Sequence, residues 1–100
     1  MKYDDEKCLV ILDKYQEAIE DAVSYAVITS SEDLYHEDED EIIRAIFISR
    51  GENTYHMTFG VDGWIYSSDR NIPRQLLIDV HNVIADTLYG ALADYESEPE

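Results

Sequence analysis

The strongest constraint on the fold is an abrupt change of character at residue 42. Residues 32–41 hold seven carboxylates and no lysine or arginine, and residues 42–48, which follow directly, form the most apolar run in the chain. Adjacent like charges repel one another and stay in solvent, whereas a short apolar run is typical of a core strand. The sequence therefore predicts a solvated acidic loop, with at most one helical turn capped by Ser31, that leads directly into a buried strand.

Charge is distributed unevenly along the chain. The 100 residues carry 23 acidic and 7 basic side chains, a formal net charge of −16, and residues 1–41 alone contribute −11 of it. Residues 42–74 carry +1 and residues 75–100 carry −6. A field of this sign repels nucleic acids and anionic membranes and attracts basic protein surfaces. The charge therefore argues against direct nucleic-acid binding and favours a basic protein partner, with solubility as the alternative reason for the acidity.

Length and composition predict one intracellular domain. Because 45% of the 100 residues are apolar, the chain can form a single modest core, and we expect one domain over residues 1–100 with frayed ends at 1–3 and 96–100. The single cysteine, Cys8, permits no internal disulfide and fits a reducing compartment. The N-terminus lacks the features of a secretory signal, and no apolar run reaches the roughly 20 residues that span a bilayer. We expect a soluble cytoplasmic protein without a membrane partner.

The pattern of apolar residues predicts two helices around three strands. Apolar side chains recur every three or four residues over 4–28 and again after Pro73, which indicates two amphipathic helices. The end of the first helix stays open, because residues 25–29 also fit a short strand. Residues 42–50, 54–61 and 64–68 have the composition of strands, and Asp62-Gly63 predicts a two-residue type I′ hairpin. We expect an α+β fold in which a three-stranded antiparallel meander is flanked by the helices, in the order α–β–β–β–α.

The predicted hairpin assigns side chains to the two faces of the sheet. A two-residue loop would pair Val61 with Trp64 and Phe59 with Tyr66, and alternation then places on the core face Met57, Phe59, Val61, Trp64 and Tyr66. Two arrangements of the helices stay open, both on that face or one on each face. If both pack on one face, an exposed apolar patch that favours a partner or a homodimer is formed by Ile43, Ala45, Phe47 and Ile65.

No residue pattern specifies catalysis or a bound cofactor. His36, His56 and His81 lie at none of the spacings of metal-binding motifs, and the acidic stretch lacks the central glycine of a calcium-binding loop. Cys8 has no base at a spacing that would activate it, so we expect it to be buried. The sequence predicts no enzymatic activity, no cofactor and no specific metal site.

The carboxylates offer a different chemistry, the imitation of a nucleic-acid backbone. A groove that holds nucleic acid is lined with lysine and arginine, and carboxylates at a similar spacing can occupy it. One helical turn advances about 5.4 Å, which is comparable to the distance between successive phosphates. Tyrosines such as Tyr25 and Tyr35 can stack where bases would. The predicted partner-binding residues are Asp13, Glu17, Glu20 and Asp21 in the first helix, and Glu32, Asp33, Tyr35, Glu37, Asp38, Glu39, Asp40 and Glu41 in the acidic stretch.

In layout and charge, though in no motif, the whole chain resembles small phage-encoded inhibitors, particularly anti-CRISPR proteins and other DNA mimics. This resemblance implies a non-enzymatic inhibitor in the host cytoplasm that binds a basic, nucleic-acid-recognising surface of a protein or complex. The chain is also similar to immunity proteins for basic nuclease toxins and to type III secretion chaperones, which are acidic dimers. The chaperone resemblance implies a binding module or dimeric adaptor, and the predicted apolar patch with Phe47 and Ile65 is the sheet face that it would use.

Overall fold

The computed structural model describes residues 4–38 and 40–96 as two helices packed on one antiparallel sheet. In chain order the elements are α1 (Asp5–Ala22), β1 (Val27–His36), β2 (Glu41–Arg50), β3 (Asn53–Phe59), β4 (Ile65–Ser68) and α2 (Arg74–Glu96). The strands lie side by side in chain order, so β1 and β4 are the edges of the sheet. The α+β class is confirmed, but the sheet has four strands instead of three. Apart from Glu96, which is still helical, the fraying predicted at both ends falls outside the described residues.

The additional strand is β1, whose second half, residues 32–36, was predicted to belong to the acidic loop. Its residues pair with β2 from Val27 opposite Ser49 to His36 opposite Glu41. An edge strand can carry charges because its backbone pairs on one side while its side chains stay in solvent. The prediction of a loop over 32–41 is therefore wrong for the described residues except 37, 38 and 40, which form a turn. That turn includes Asp40 with φ of 53°, a conformation that aspartate tolerates.

Helix α1 is shorter than the predicted span of 4–28. It begins after Asp4, whose side chain accepts a hydrogen bond from the N–H of Lys7 at 2.9 Å. It ends at Ala22, and its last turn contains no basic residue. Carboxylates near a helix C-terminus oppose the helix dipole, which favours an early end. The chain then turns and enters β1, so the open alternative of a strand near residues 25–29 describes this region better.

The connection between β3 and β4 is longer than the predicted two-residue hairpin. Gly60 donates its N–H to the carbonyl of Trp64, and Gly63 donates to the carbonyl of Gly60, both at 3.0 Å. Three residues therefore close the loop, and the last of them, Gly63, has φ of 86° while Asp62 does not have a positive φ. This is the arrangement of a three-residue loop that ends in a glycine bulge, so the type I′ prediction is wrong.

The longer loop and a register shift beside it change which side chains of β4 face the core. Phe59 pairs with Ile65, and Ile65 packs against the core, so the predicted pairings of Phe59 with Tyr66 and Val61 with Trp64 are wrong. Trp64 is 66% exposed, and Tyr66 lies half-buried with its ring stacked on His36 at 4.9 Å. The shift of one residue turns side chains to the opposite face.

Both helices pack on the same face of the sheet, which resolves the two arrangements left open. One buried cluster joins the apolar stripes of α1 and α2 to the inner face of β2 and β3. It includes the predicted core residues Met57 and Phe59 of β3 and Val61 of the following loop. Tyr15 crosses this core, with its ring edge-on to Phe59 at a centroid distance of 6.2 Å. Its hydroxyl donates to the carbonyl of Val61 at 2.6 Å, which fixes the β3–β4 loop against α1.

The opposite face of the sheet is less exposed than predicted. Ile43 and Ala45 are buried, with only 6% and 1% of their surface exposed, because β2 is an inner strand with neighbours on both sides. Ile65 lies on the core side, so only Phe47, which is 41% exposed, remains of the predicted apolar patch. Within the described part of the chain, neither helix is both long and apolar enough to cross a membrane.

Replacing Tyr15 with phenylalanine should lower the free energy of unfolding by about 1–3 kcal/mol, because it leaves the buried carbonyl of Val61 without its donor. Urea-induced unfolding measures the change. Tyr35→Phe is the control, since Tyr35 is 59% exposed, and it should stay within about 0.5 kcal/mol of the unmodified protein. Equal stability of the two variants would contradict the role given to the Tyr15 hydroxyl.

Candidate functional site

An acidic groove lies between α1 and the β1 edge of the sheet. It has a volume of about 400 Å³ and contains five carboxylates and one guanidinium, a formal net charge of −4. Helix α1 contributes side chains at intervals of three and four residues, which puts them on one face. Strand β1 contributes three consecutive residues, and β2 contributes one. The lining residues are Asp13, Gln16, Glu17, Glu20, Ser31, Glu32, Asp33 and Arg44.

Arg44 holds the two walls of this groove together. It lies on the helix-covered face of β2, directly opposite Asp33 of β1, and only 8% of its side chain is exposed. Its Nε contacts Asp33 Oδ1 at 2.7 Å, and its Nη1 contacts Asp13 Oδ1 at 2.8 Å. Nη1 also donates to Oε1 of Gln16 at 2.8 Å. One buried cation therefore joins α1, β1 and β2.

The environment keeps the Arg44 guanidinium charged. Burial by itself lowers the pKa of this group, but the hydrogen bonds and charges of Asp33 and Asp13 outweigh burial and raise the pKa above its ordinary value. Arginine is protonated at all ordinary pH values, so this balance leaves a permanent positive charge beneath the groove. Asp13 and Asp33 bind that charge, and Glu17, Glu20 and Glu32 are the other exposed carboxylates of the groove.

The structure brings together some of the predicted partner-binding residues and separates others. Asp13, Glu17 and Glu20 of α1 meet Glu32 and Asp33 of β1 in the groove. The other predicted residues lie as follows: Asp21 is exposed in the last turn of α1, Tyr35 is exposed on β1, Glu37, Asp38 and Asp40 lie in the β1–β2 turn, Glu41 begins β2, and Glu39 is outside the described residues.

Cys8 lies near the start of α1, close to the first residues of β2. Burial raises the pKa of the Cys8 thiol; a hydrogen bond from the backbone of Ile42 opposes this, and the charges of Glu41, Asp5 and Asp4 raise the pKa further. These interactions put the start of β2 beside the N-terminal turn of α1. A buried thiol with a raised pKa is a poor nucleophile, and the predicted burial of Cys8 is confirmed.

Tyr25, predicted as a residue that could stack where bases would, lies just before β1 and connects it to α2. Its hydroxyl donates to the carboxylate of Asp79, and the guanidinium carbon of Arg50 lies 5.0 Å from the centre of its ring. Gln75 donates to the other oxygen of Asp79 at 2.8 Å. Burial, followed by the hydrogen bond and charge of Asp79, raises the pKa of Tyr25 to about 12. These contacts occupy the hydroxyl and one face of the ring.

Sequence reasoning missed the part that Arg44 plays in the site, although a signal was present. Arg44 is the only charged residue in the apolar run 42–48, and alternation places it on the same face as Ile46 and Ile48. A buried charge needs a partner of opposite sign, and a strand without other charges must obtain it from a neighbouring element. The chain offers many carboxylates, so the sequence did not specify which of them would be chosen.

Two further observations bear on the site. Among the described residues, no group of three or more His, Cys, Asp or Glu side chains is arranged to hold a metal ion. No protein-family model matches the chain, and comparisons with curated proteins and with solved structures give no significant match. The geometry and charge of the groove are therefore the basis for a functional inference.

Arg44→Met should lower the free energy of unfolding by about 1–3 kcal/mol, because it removes three contacts and leaves the carboxylates of α1 and β1 to repel one another. The loss is smaller than for a fully buried pair, since Asp13 and Asp33 are 61% and 39% exposed. Urea-induced unfolding at low and high salt measures it, and added salt should recover part of the stability. Arg70→Met, at an exposed position, is the control for removing a positive charge. Equal losses of stability in the two variants, independent of salt, would contradict the role of Arg44.

Proposed function

We propose that this protein is a non-enzymatic inhibitor that binds a basic, nucleic-acid-recognising surface of a protein or complex. The observation that carries the proposal is the meeting of helix and strand carboxylates in one groove. In the sequence, the acids of α1 and of residues 32–41 are separate clusters. In the fold, Glu17 and Glu20 lie across the groove from Glu32, so a single negative surface is available to a partner.

The acidic groove is preorganised by contacts within the protein. The ion pairs of Arg44 with Asp13 and Asp33 fix α1 relative to β1, and Gln16 donates to Glu20 at 3.2 Å. Ordering side chains on binding costs free energy, so carboxylates on rigid elements bind more favourably than those of a mobile acidic tail. This supports a defined binding surface over general acidity as the reason for the charge.

Lysine and arginine side chains that normally contact phosphates would bind the groove carboxylates instead. One turn of α1 advances about 5.4 Å, so acids one turn apart present charge at a spacing comparable to that of phosphates along a strand. The formal net charge of −16 would steer the protein toward such a surface and accelerate the encounter. This mechanism is that of a DNA mimic or anti-CRISPR-like inhibitor, and it requires no cofactor. An immunity protein for a basic nuclease toxin would use the same chemistry.

The proposal predicts competition with nucleic acid that depends on the groove and on salt. RNA-guided nucleases and basic toxin nucleases, each loaded with a fluorescent duplex, are titrated with the protein, and fluorescence anisotropy reports release of the duplex. For a nuclease that responds, reversing Glu17 and Glu32 to lysine should weaken competition by roughly tenfold, because two favourable charge pairs become repulsive. Raising the salt concentration should weaken the unmodified protein in the same assay.

The control variant reverses Glu52 and Asp86, which are exposed and lie outside the groove, and changes the net charge by the same amount. Its competition should stay close to that of the unmodified protein. A third variant with lysine at Glu37, Asp38 and Asp40 tests the contribution of the β1–β2 turn, and it should also weaken competition. Equal weakening by groove and control variants would show that net charge alone acts. Affinity that is insensitive to salt would rule out the electrostatic mechanism.

A further inference from the structure

The opposite edge of the sheet carries a second groove of different character. It has a volume of about 730 Å³ and lies between β4 and α2, lined mostly by apolar surface. Two of the large apolar side chains that the protein exposes, Trp64 at 66% and Ile78 at 40%, lie on its two walls. Exposed apolar side chains gathered in one groove on a highly charged protein indicate a binding surface. The residues of the β4 wall are Trp64, Ile65, Tyr66, Ser67 and Ser68, and those of the α2 wall are Leu77, Ile78, His81 and Asn82.

The groove lies between two antiparallel elements, and a second, smaller pocket adjoins one of its ends. The chain turns directly from β4 into α2, so the two elements run antiparallel. At the end near the β3–β4 loop, a smaller pocket of about 220 Å³ continues beyond Trp64 and His81 toward Ala85 and Leu88, with Asp62 in its wall. The Asp62 carboxylate is held there, because Oδ1 accepts the N–H of Trp64 at 3.2 Å and Oδ2 accepts the hydroxyl of Tyr66 at 3.2 Å.

The β4 side of the groove offers backbone as well as side chains. Asp69 donates its N–H inward to the carbonyl of His56 at 2.9 Å. Successive residues of an antiparallel strand direct their backbone groups to opposite sides, so Ser68 directs its N–H outward, toward the groove. Strand β4 is the last strand on this side of the sheet. When a peptide adds to a sheet edge as a strand, outward backbone groups of the edge strand pair with it, and an adjacent groove accepts its alternate side chains.

We propose that an extended segment of a partner protein adds to β4 as a fifth strand and occupies the groove between β4 and α2. Alternate apolar side chains of the segment enter the two compartments on either side of Trp64, and a basic side chain lies beside Asp62. The net charge of −16 decides the kind of occupant, because it opposes pairing with a second copy of the chain and attracts a segment with basic flanks. This surface is separate from the acidic groove at the β1 edge.

The test uses a capped synthetic peptide of alternating valine and threonine between terminal lysines, titrated into isotope-labelled protein. NMR should show shifts of the amide signals of β4 and the facing turns of α2, with intermolecular contacts to Ser68. A peptide with glutamates in place of the lysines should bind more weakly. Asp62→Asn should reduce that difference, because the charge beside the basic residue is gone.

Paired variants separate strand addition from other binding. Ser68→Pro removes the outward N–H and should weaken binding of the lysine peptide roughly 3- to 10-fold, the effect of one backbone hydrogen bond, whereas Ser68→Ala keeps the N–H and should not. Ile78→Glu places a charge in the groove and should also weaken binding. Val27→Glu, at an exposed position on the β1 edge, should leave it unchanged. Thermal unfolding confirms that each variant is folded.

Several results would overturn the proposal. NMR shifts centred on the acidic groove of α1 and β1 would mean that only the lysines of the peptide are recognised. The titration is repeated at high salt, which weakens such purely electrostatic binding. Equal affinity of Ser68→Pro and Ser68→Ala would exclude pairing with β4. Self-association through β4 in sedimentation experiments without peptide would assign the groove to a second copy. Absence of binding at all peptide concentrations would also contradict it.

Discussion

A single arginine on the inner strand β2 sets the relation between the acidic elements of this protein. Helix α1 and strand β1 each carry several carboxylates on the sides that approach one another, and without a counter-charge they would repel. The guanidinium of Arg44 contacts Asp13 and Asp33 at 2.8 and 2.7 Å and is almost wholly buried. Burying a cation costs several kcal/mol, roughly, unless close partners offset that cost. The acidic surface is therefore coupled to the core through one residue.

The two edges of the sheet differ in the side chains that they expose. At the β1 edge, exposed carboxylates surround the strand, and charged edge strands resist pairing with other strands. At the β4 edge, the exposed side chains are apolar, and Trp64 and Ile78 face each other across a groove. The protein thus carries one surface suited to electrostatic recognition and one suited to strand addition. Because the helices cover the same face of the sheet, each groove is formed where one helix meets one edge.

The length of the β3–β4 loop accounts for the side chains of β4 that were predicted on the wrong face. Asp62-Gly63 indicated a hairpin correctly, but the loop has three residues, and the positive φ is found at Gly63 and not at Asp62. The shifted register that accompanies this loop brings Ile65 to the core side and leaves Trp64 in solvent. Both loop lengths agree with the local composition, so only packing against the helices could select between them. The same choice produced the β4 groove, which sequence reasoning did not foresee.

The sequence by itself determined the α+β class, the central strand β2, the inner face of β3 and the concentration of negative charge, because periodic burial and composition are local properties. It did not determine β1, since an exposed edge strand need not bury one face and so shows no regular alternation in its sequence. The tertiary structure decided which acids share a surface. Asp13 and Asp33 are 20 positions apart in the chain, and they meet because α1 packs over the β1–β2 edge and Arg44 binds both.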